Sequence, residues 1–93
     1  MLNGRIGQVI GPFDQGVDLL SNEGAIGAFT PETTRPILTK IGIQADKGTT
    51  FKINDASLKI GKTGIYELDN VVEIKSLIFT SATNENTLID FVY

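Results

Sequence analysis

From Leu38 onward the chain alternates apolar and polar residues in short runs, each closed by turn residues. KIGIQA is apolar at Ile41 and Ile43, and ADKG (45–48) follows as a turn ending on glycine. In TTFKIN, Phe51 and Ile53 share one face while Lys52 takes the other. NDAS turns the chain, and LKI sets Leu58 and Ile60 opposite Lys59. GKTG, IYEL and the turn DN lead into VVEIKSLIF, the longest run. Read as one strand, this run puts Val72, Ile74, Ser76 and Ile78 on one face. Val71, Glu73, Lys75, Leu77 and Phe79 fall on the other. SATNEN is a polar loop, and TLIDFVY ends the chain as a strand that places Tyr93 inside a sheet. No window shows a sustained helical period. Short strands with closely spaced turn signals predict an all-β fold, a small antiparallel β-sandwich of jelly-roll-like kind, over residues 38–93.

Residues 1–37 read differently. They hold all three prolines (Pro12, Pro31, Pro36) and six of the ten glycines. Such spacing interrupts any regular element every few residues. RIGQVIG fits one short strand, and GVDLLSNEG fits a strand or a helical turn closed by Gly24. TPETTRPI is extended or turn-like, because a residue before proline avoids the helical region. The expectation is a Gly/Pro-rich irregular N-terminal arm or loop region with one or two short strands. It either projects or packs on the same domain.

Ninety-three residues make one domain. Net charge is −3, which weighs against a general nucleic-acid surface. With neither cysteine nor histidine, disulfides, thiolate chemistry and the commonest general base are excluded. No apolar run reaches the ~20 residues of a membrane helix. The N-terminus lacks the segments of a signal peptide, so the chain reads as soluble and unprocessed.

One motif fragment demands a decision. ASLKIGKTG (56–64) contains Gly61-Lys62-Thr63, the end of a phosphate-binding loop. The loop needs glycine five positions earlier, where Ala56 stands, and a helix afterwards, where IYEL follows. The better assignment is a hairpin turn between LKI and YEL, in which Gly61 and Gly64 supply positive φ. Gly48 serves the ADKG turn in the same way. Asp14 with Asp18, Asp69-Asn70 and Asn84-Glu85-Asn86 are oxygen-rich, but none follows a calcium-loop pattern. Glu67 and Asp69 share a strand face without a second wall to make a hydrolase cleft. Ser57, Ser76 and Ser81 have no histidine partner and no elbow motif. No catalytic, cofactor or metal site is assigned. A nucleic-acid surface built from Lys52, Lys59 and Lys75 near Phe51, Tyr66 and Phe79 is disfavoured, because aromatics and lysines alternate to opposite faces.

IGIQADKGTTFKIND, LKIGKTGIYELDN, IKSLIF and LIDFVY together resemble a small β module found in structural proteins of tailed phages and prophages of Gram-positive bacteria. The family pattern runs G-I-Q-A, a turn, G-T-x-F-x-I-N, then I-G-x-T-G-I-Y-E-L, a strand and a closing I-D-[YF]-x-Y. Residues 40–93 follow it in order, and the resemblance does not extend into residues 1–37. It implies a virion component of tail, baseplate or head-fibre type that works by assembly. It implies no catalytic or ligand-binding residues. The expected partners are further copies in a homo-oligomer and other virion proteins; from composition no membrane partner is expected, and nucleic acid is disfavoured. The alternative is a small sandwich that binds surface glycan or single-stranded nucleic acid through Tyr66 and the lysines. Far-UV circular dichroism is expected to be strand-dominated, and a helical spectrum would contradict the fold assignment.

Overall fold

The computed structural model describes residues 6–29 and 38–92, without the side chains of residues 29, 70 and 71. Seven strands and one short helix run in the order β1 (Ile6–Ile10), α1 (Ala25–Phe29), β2 (Leu38–Gln44), β3 (Thr50–Ile53), β4 (Ala56–Lys59), β5 (Ile65–Ile74), β6 (Leu77–Phe79) and β7 (Leu88–Val92). They form two antiparallel sheets, one ordered β1-β7-β2-β5 and the other β4-β3-β6. The fold is therefore a small all-β sandwich. The TPETTRPI prolines and Tyr93 lie outside the described residues.

The main construction is one long antiparallel ribbon folded over on itself. Its tip is the two-residue turn Asn54-Asp55, both at positive φ, as a tight hairpin with native twist requires. From the tip, Ile53 pairs with Ala56 and Thr50 with Lys59 in the three-stranded sheet. The same register resumes at Gln44 with Ile65 and continues to Lys40 with Asp69 in the four-stranded sheet. The two chains cross between sheets together. Gly48 N donates to Ile60 O, Ile60 N to Thr49 O, and Ala45 N to Gly64 O, each at 2.9 Å. A β-bulge between Leu38 and Lys40 then shifts the register, so that Leu38 pairs with Ile74.

This corrects the sequence-based placement of Gly48, Gly61 and Gly64 in hairpin turns. The reversals exist, but they join strands of different sheets. Gly48 (φ +90°) and Gly64 (φ +74°) are left-handed, whereas Gly61 is not among the left-handed glycines. VVEIKSLIF is likewise not one strand with two faces. The chain leaves the four-stranded sheet at Ile74 and enters the other at Leu77. Ile74, Leu77 and Phe79 are all buried, while Val72, Glu73 and Lys75 are exposed. Asn54 at the ribbon tip holds this crossing. Its Nδ2 donates to Glu73 O at 2.7 Å, and its Oδ1 accepts from Lys75 N at 2.8 Å and Ser76 N at 3.3 Å.

Residues 6–29 are packed on the sandwich. β1 pairs along its whole length with β7, and Gly11 N continues the ladder to Thr87 O at 2.7 Å. The chain then crosses to the second sheet, where Asp18 bridges Ile78 and Leu19 N donates to Leu77 O at 2.8 Å. The Asp18 carboxylate accepts from Leu20 N at 3.0 Å and Leu77 N at 3.1 Å. It thereby satisfies two backbone donors that strand pairing leaves unused. Helix α1 begins after Gly24 instead of ending there, and its five residues are too few to carry a readable helical period.

The core spans both sheets and the N-terminal segment: Leu19, Leu20 and Ile26 join Ile41, Ile43, Phe51, Ile53, Ile89 and Phe91. Each fully buried side chain of this size contributes on the order of 1.5–3 kcal/mol. Four rings cross the interior in sequence. Phe13 stacks on Phe79 at 5.6 Å, Phe79 lies 6.0 Å from Phe51, and Phe51 meets Tyr66 edge-on at 5.2 Å. The row links the N-terminal segment to both sheets, with contacts in the range of favourable aromatic pairs.

Two glycines are fixed by these contacts. A Cβ on Gly27 would overlap the Ser21 carbonyl oxygen, because α1 lies directly on the turn at 18–21. A Cβ on Gly64 would sit 3.0 Å from Ala45 O, in a left-handed backbone. Gly27→Ala is expected to cost about 1–3 kcal/mol through overpacking. Gly64→Val should cost at least about 2 kcal/mol, combining contact with left-handed strain. Thermal unfolding should show Tm lowered by roughly 10 °C in each; an unchanged Tm would contradict the corner geometry.

Candidate functional site

The outer face of the four-stranded sheet is the surface where exposed side chains gather. Register fixes what stands there. Reading across β1, β7, β2 and β5, one row is Ile6, Val92, Lys40, Asp69. The next is Gln8, Asp90, Gly42, Glu67, and the third is Ile10, Leu88, Gln44, Ile65. The opposite set, Val9, Ile89, Phe91, Ile41, Ile43, Tyr66 and Leu68, packs into the core. The face is thus polar through its middle row and apolar toward both ends of β1. Ile6 is 78% exposed, Ile10 60% and Ile65 50%.

Gly42 makes a depression at the centre. It carries no side chain, and nothing stands within 4 Å of where a Cβ would be. The resulting open groove, about 440 Å³, is flanked by Glu67, Asp69, Asp90, Lys40, Ile6 and Val92. Lys40 Nζ lies 3.8 Å from Asp69 Oδ2, a solvated pair of small energetic value. Gln8 Nε2 donates to Asp90 Oδ1 at 2.7 Å across β1 and β7. The groove therefore offers hydrogen-bond acceptors and apolar edges rather than a reactive centre. Glu67 and Asp69 do share this face, as their spacing predicts, but Glu67 stands beside Gly42 and Asp69 beside Lys40.

The other residues weighed from sequence are dispersed. Lys52, Lys59 and Lys75 are exposed, and Phe51 and Phe79 are fully buried. Tyr66 is half-buried with its ring turned onto Phe51. Lys62 is exposed in the crossing between sheets. Ser81 Oγ accepts from Thr50 N at 2.9 Å, so it serves the β3–β6 boundary. Asn84 is engaged by structure: its Oδ1 accepts from Asn86 N at 2.8 Å within its own loop, and its Nδ2 donates to Asp46 of the 45–49 crossing at 2.6 Å. Asp14 is exposed, whereas Asp18 is spent on backbone amides. Among the described residues no three of His, Cys, Asp or Glu converge as a metal site. No described helix is long and apolar enough to cross a membrane.

Ile6, Gln8, Ile10 and Gly42 escaped selection from sequence. RIGQVI carries apolar residues on both alternating sets, so period alone does not say which set faces water. No family model, no curated protein and no solved structure matches the chain. Because Gly42 faces open space with ordinary backbone angles, Gly42→Val should be tolerated and raise stability by roughly 0.5–1 kcal/mol. Thermal unfolding reads this as a gain of a few degrees, whereas a marked loss would mean the groove floor is closed.

Proposed function

We propose that this chain is a non-enzymatic structural protein of a phage or prophage particle, acting through oligomerisation and protein–protein contacts. The observation that supports it most directly is the outer sheet face, where Ile6, Ile10 and Ile65 stand exposed on strands at the sheet's edges. Exposed apolar residues beside unpaired strand edges are what a subunit uses to meet a neighbour. The likeness of residues 40–93 to phage structural modules supplies the setting: the virion, assembled in the bacterial host cytoplasm, with other virion proteins as partners.

Strand order supports the same setting by analogy. We read it as a jelly roll whose second strand is reduced to the Asp18–Ile78 bridge. Jelly rolls recur in viral capsid domains, although a fold alone does not assign a function. The alternative, a glycan or nucleic-acid module, relied on Tyr66 as a platform. With that ring packed on Phe51, the assembly proposal rests on the stronger surface.

Particles released by the host that encodes this chain, purified on a density gradient and digested, should yield its peptides. Their ratio to the major structural proteins should stay fixed across the particle peak. Intact particles lacking the peptides would overturn the proposal.

A further inference from the structure

We propose that β1 is a self-association edge. Two copies pair antiparallel through Ile6–Ile10 about a two-fold axis at Gln8, joining their four-stranded sheets into one continuous sheet. The inference deepens the assembly proposal and rests on it, naming a second copy of this chain as the partner.

The backbone supplies the first argument. β1 is the last strand of its sheet and pairs only with β7 among the described strands. Gly11 N donates to Thr87 O, so Gly11, Val9 and Gly7 direct their amides and carbonyls toward β7. By the same alternation, those of Ile6, Gln8 and Ile10 point away from the sheet. An antiparallel copy centred on Gln8 sets Ile6 opposite Ile10, Gln8 opposite Gln8, and Ile10 opposite Ile6. The outward groups are then the ones that meet in closely hydrogen-bonded pairs.

Side chains supply the second. The residues with outward backbone groups also carry the exposed side chains, and isoleucine–glutamine–isoleucine reads the same in both directions. A two-fold partner therefore meets isoleucine with isoleucine on the outer face, a favourable cross-strand pairing. Gln8 uses one amide N–H on Asp90, which orients the side chain. Its second N–H and its carbonyl oxygen remain for Gln8 of the other copy, donor to acceptor in both directions.

Charge selects β1 over the other edges. Strands protect free edges with charged residues. β5 carries Glu67, Asp69 and Glu73, and β4 carries Lys59, all exposed; β6 is uncharged, but its outer side is already taken by Gly16, Asp18 and Leu19. Two β5 edges would oppose carboxylates, and β5 against β1 would set acids against isoleucine. β1 has no charged residue between Ile6 and Ile10, so its own copy is the complementary partner. A five-residue edge buries less than a standard interface, so the dimer is expected to be weak, with Kd roughly micromolar to millimolar.

The test uses the full chain and three variants at exposed positions. Sedimentation equilibrium up to about 1 mM chain should show a monomer–dimer equilibrium, a range that reaches the weak end of the expected affinity. Ile10→Lys should weaken it at least about tenfold, by removing both Ile6–Ile10 cross-strand contacts and placing on each edge the charged residue that natural edges use against pairing. The native chain has no cysteine, so Gln8→Cys provides a clean second readout. Mild oxidation should trap a disulfide dimer of Gln8→Cys, and Glu67→Cys on the opposite edge should not form one. A strict monomer at the highest concentration overturns the inference. So does an oligomer indifferent to Ile10→Lys, or a Gln8→Cys chain that cross-links no better than Glu67→Cys. If the chain is present in purified particles while β1 changes nothing, the edge is wrong and the assembly proposal stands. If a β1 dimer forms but particles lack the chain, the reverse holds.

Discussion

The two crossings at 45–49 and 60–64 have to turn together. They are the two sides of one ribbon, and a slip of one residue in either would move every side chain beyond it to the wrong face. Three backbone hydrogen bonds tie them at the bend, and the register before and after is the same. Because that register holds, Phe51 in one sheet and Tyr66 in the other both point inward and meet. Gly64 allows the close approach to Ala45, and Gly48 the tight reversal beside it.

The rest of the chain closes around that folded ribbon. Residues 6–20 run antiparallel to 77–92, first as the β1–β7 ladder and then as the Asp18–Ile78 bridge. Where regular pairing stops, side chains take over the backbone groups. Asp18 serves the amides of Leu20 and Leu77, Thr83 Oγ1 accepts from Phe13 N at 2.7 Å, and Asn54 serves the β5–β6 crossing. These polar residues are short and sit at turns, where their competition with the backbone is an advantage. The row of Phe13, Phe79, Phe51 and Tyr66 then packs the interior.

With the interior filled, what the four-stranded sheet offers a partner lies on its outer face and edges. That face combines an acidic, open middle at Gly42 with apolar ends on β1. An arrangement of this kind suits a partner that brings backbone and apolar side chains to the edge. The assembly proposal and the β1 pairing both follow from which side of each strand was left uncovered.

Alternation within KIGIQA, TTFKIN and LKI specified strands and their inward residues, since a period of two is local and needs no partner to be seen. Positive φ at Gly48 and Gly64 was legible for the same reason. What lay beyond the sequence was which sheet each strand would join. VVEIKSLIF reads as one strand, yet Asn54, some twenty residues earlier, turns it between sheets through contacts with Glu73, Lys75 and Ser76. The turn at ADKG looks like any hairpin, yet it carries the chain from one sheet to the other. The exposed edge was hidden too. Ile6 and Ile10 on one side and Val9 on the other are equally apolar, and only pairing with β7 decided that Val9 faces the core. The sequence determined most strands and their inward residues, through local backbone and side-chain preference, but not the break between β5 and β6, and the DN it reads as a turn lies inside β5. Tertiary structure decided which faces and edges stay free, because that depends on neighbours distant in the chain.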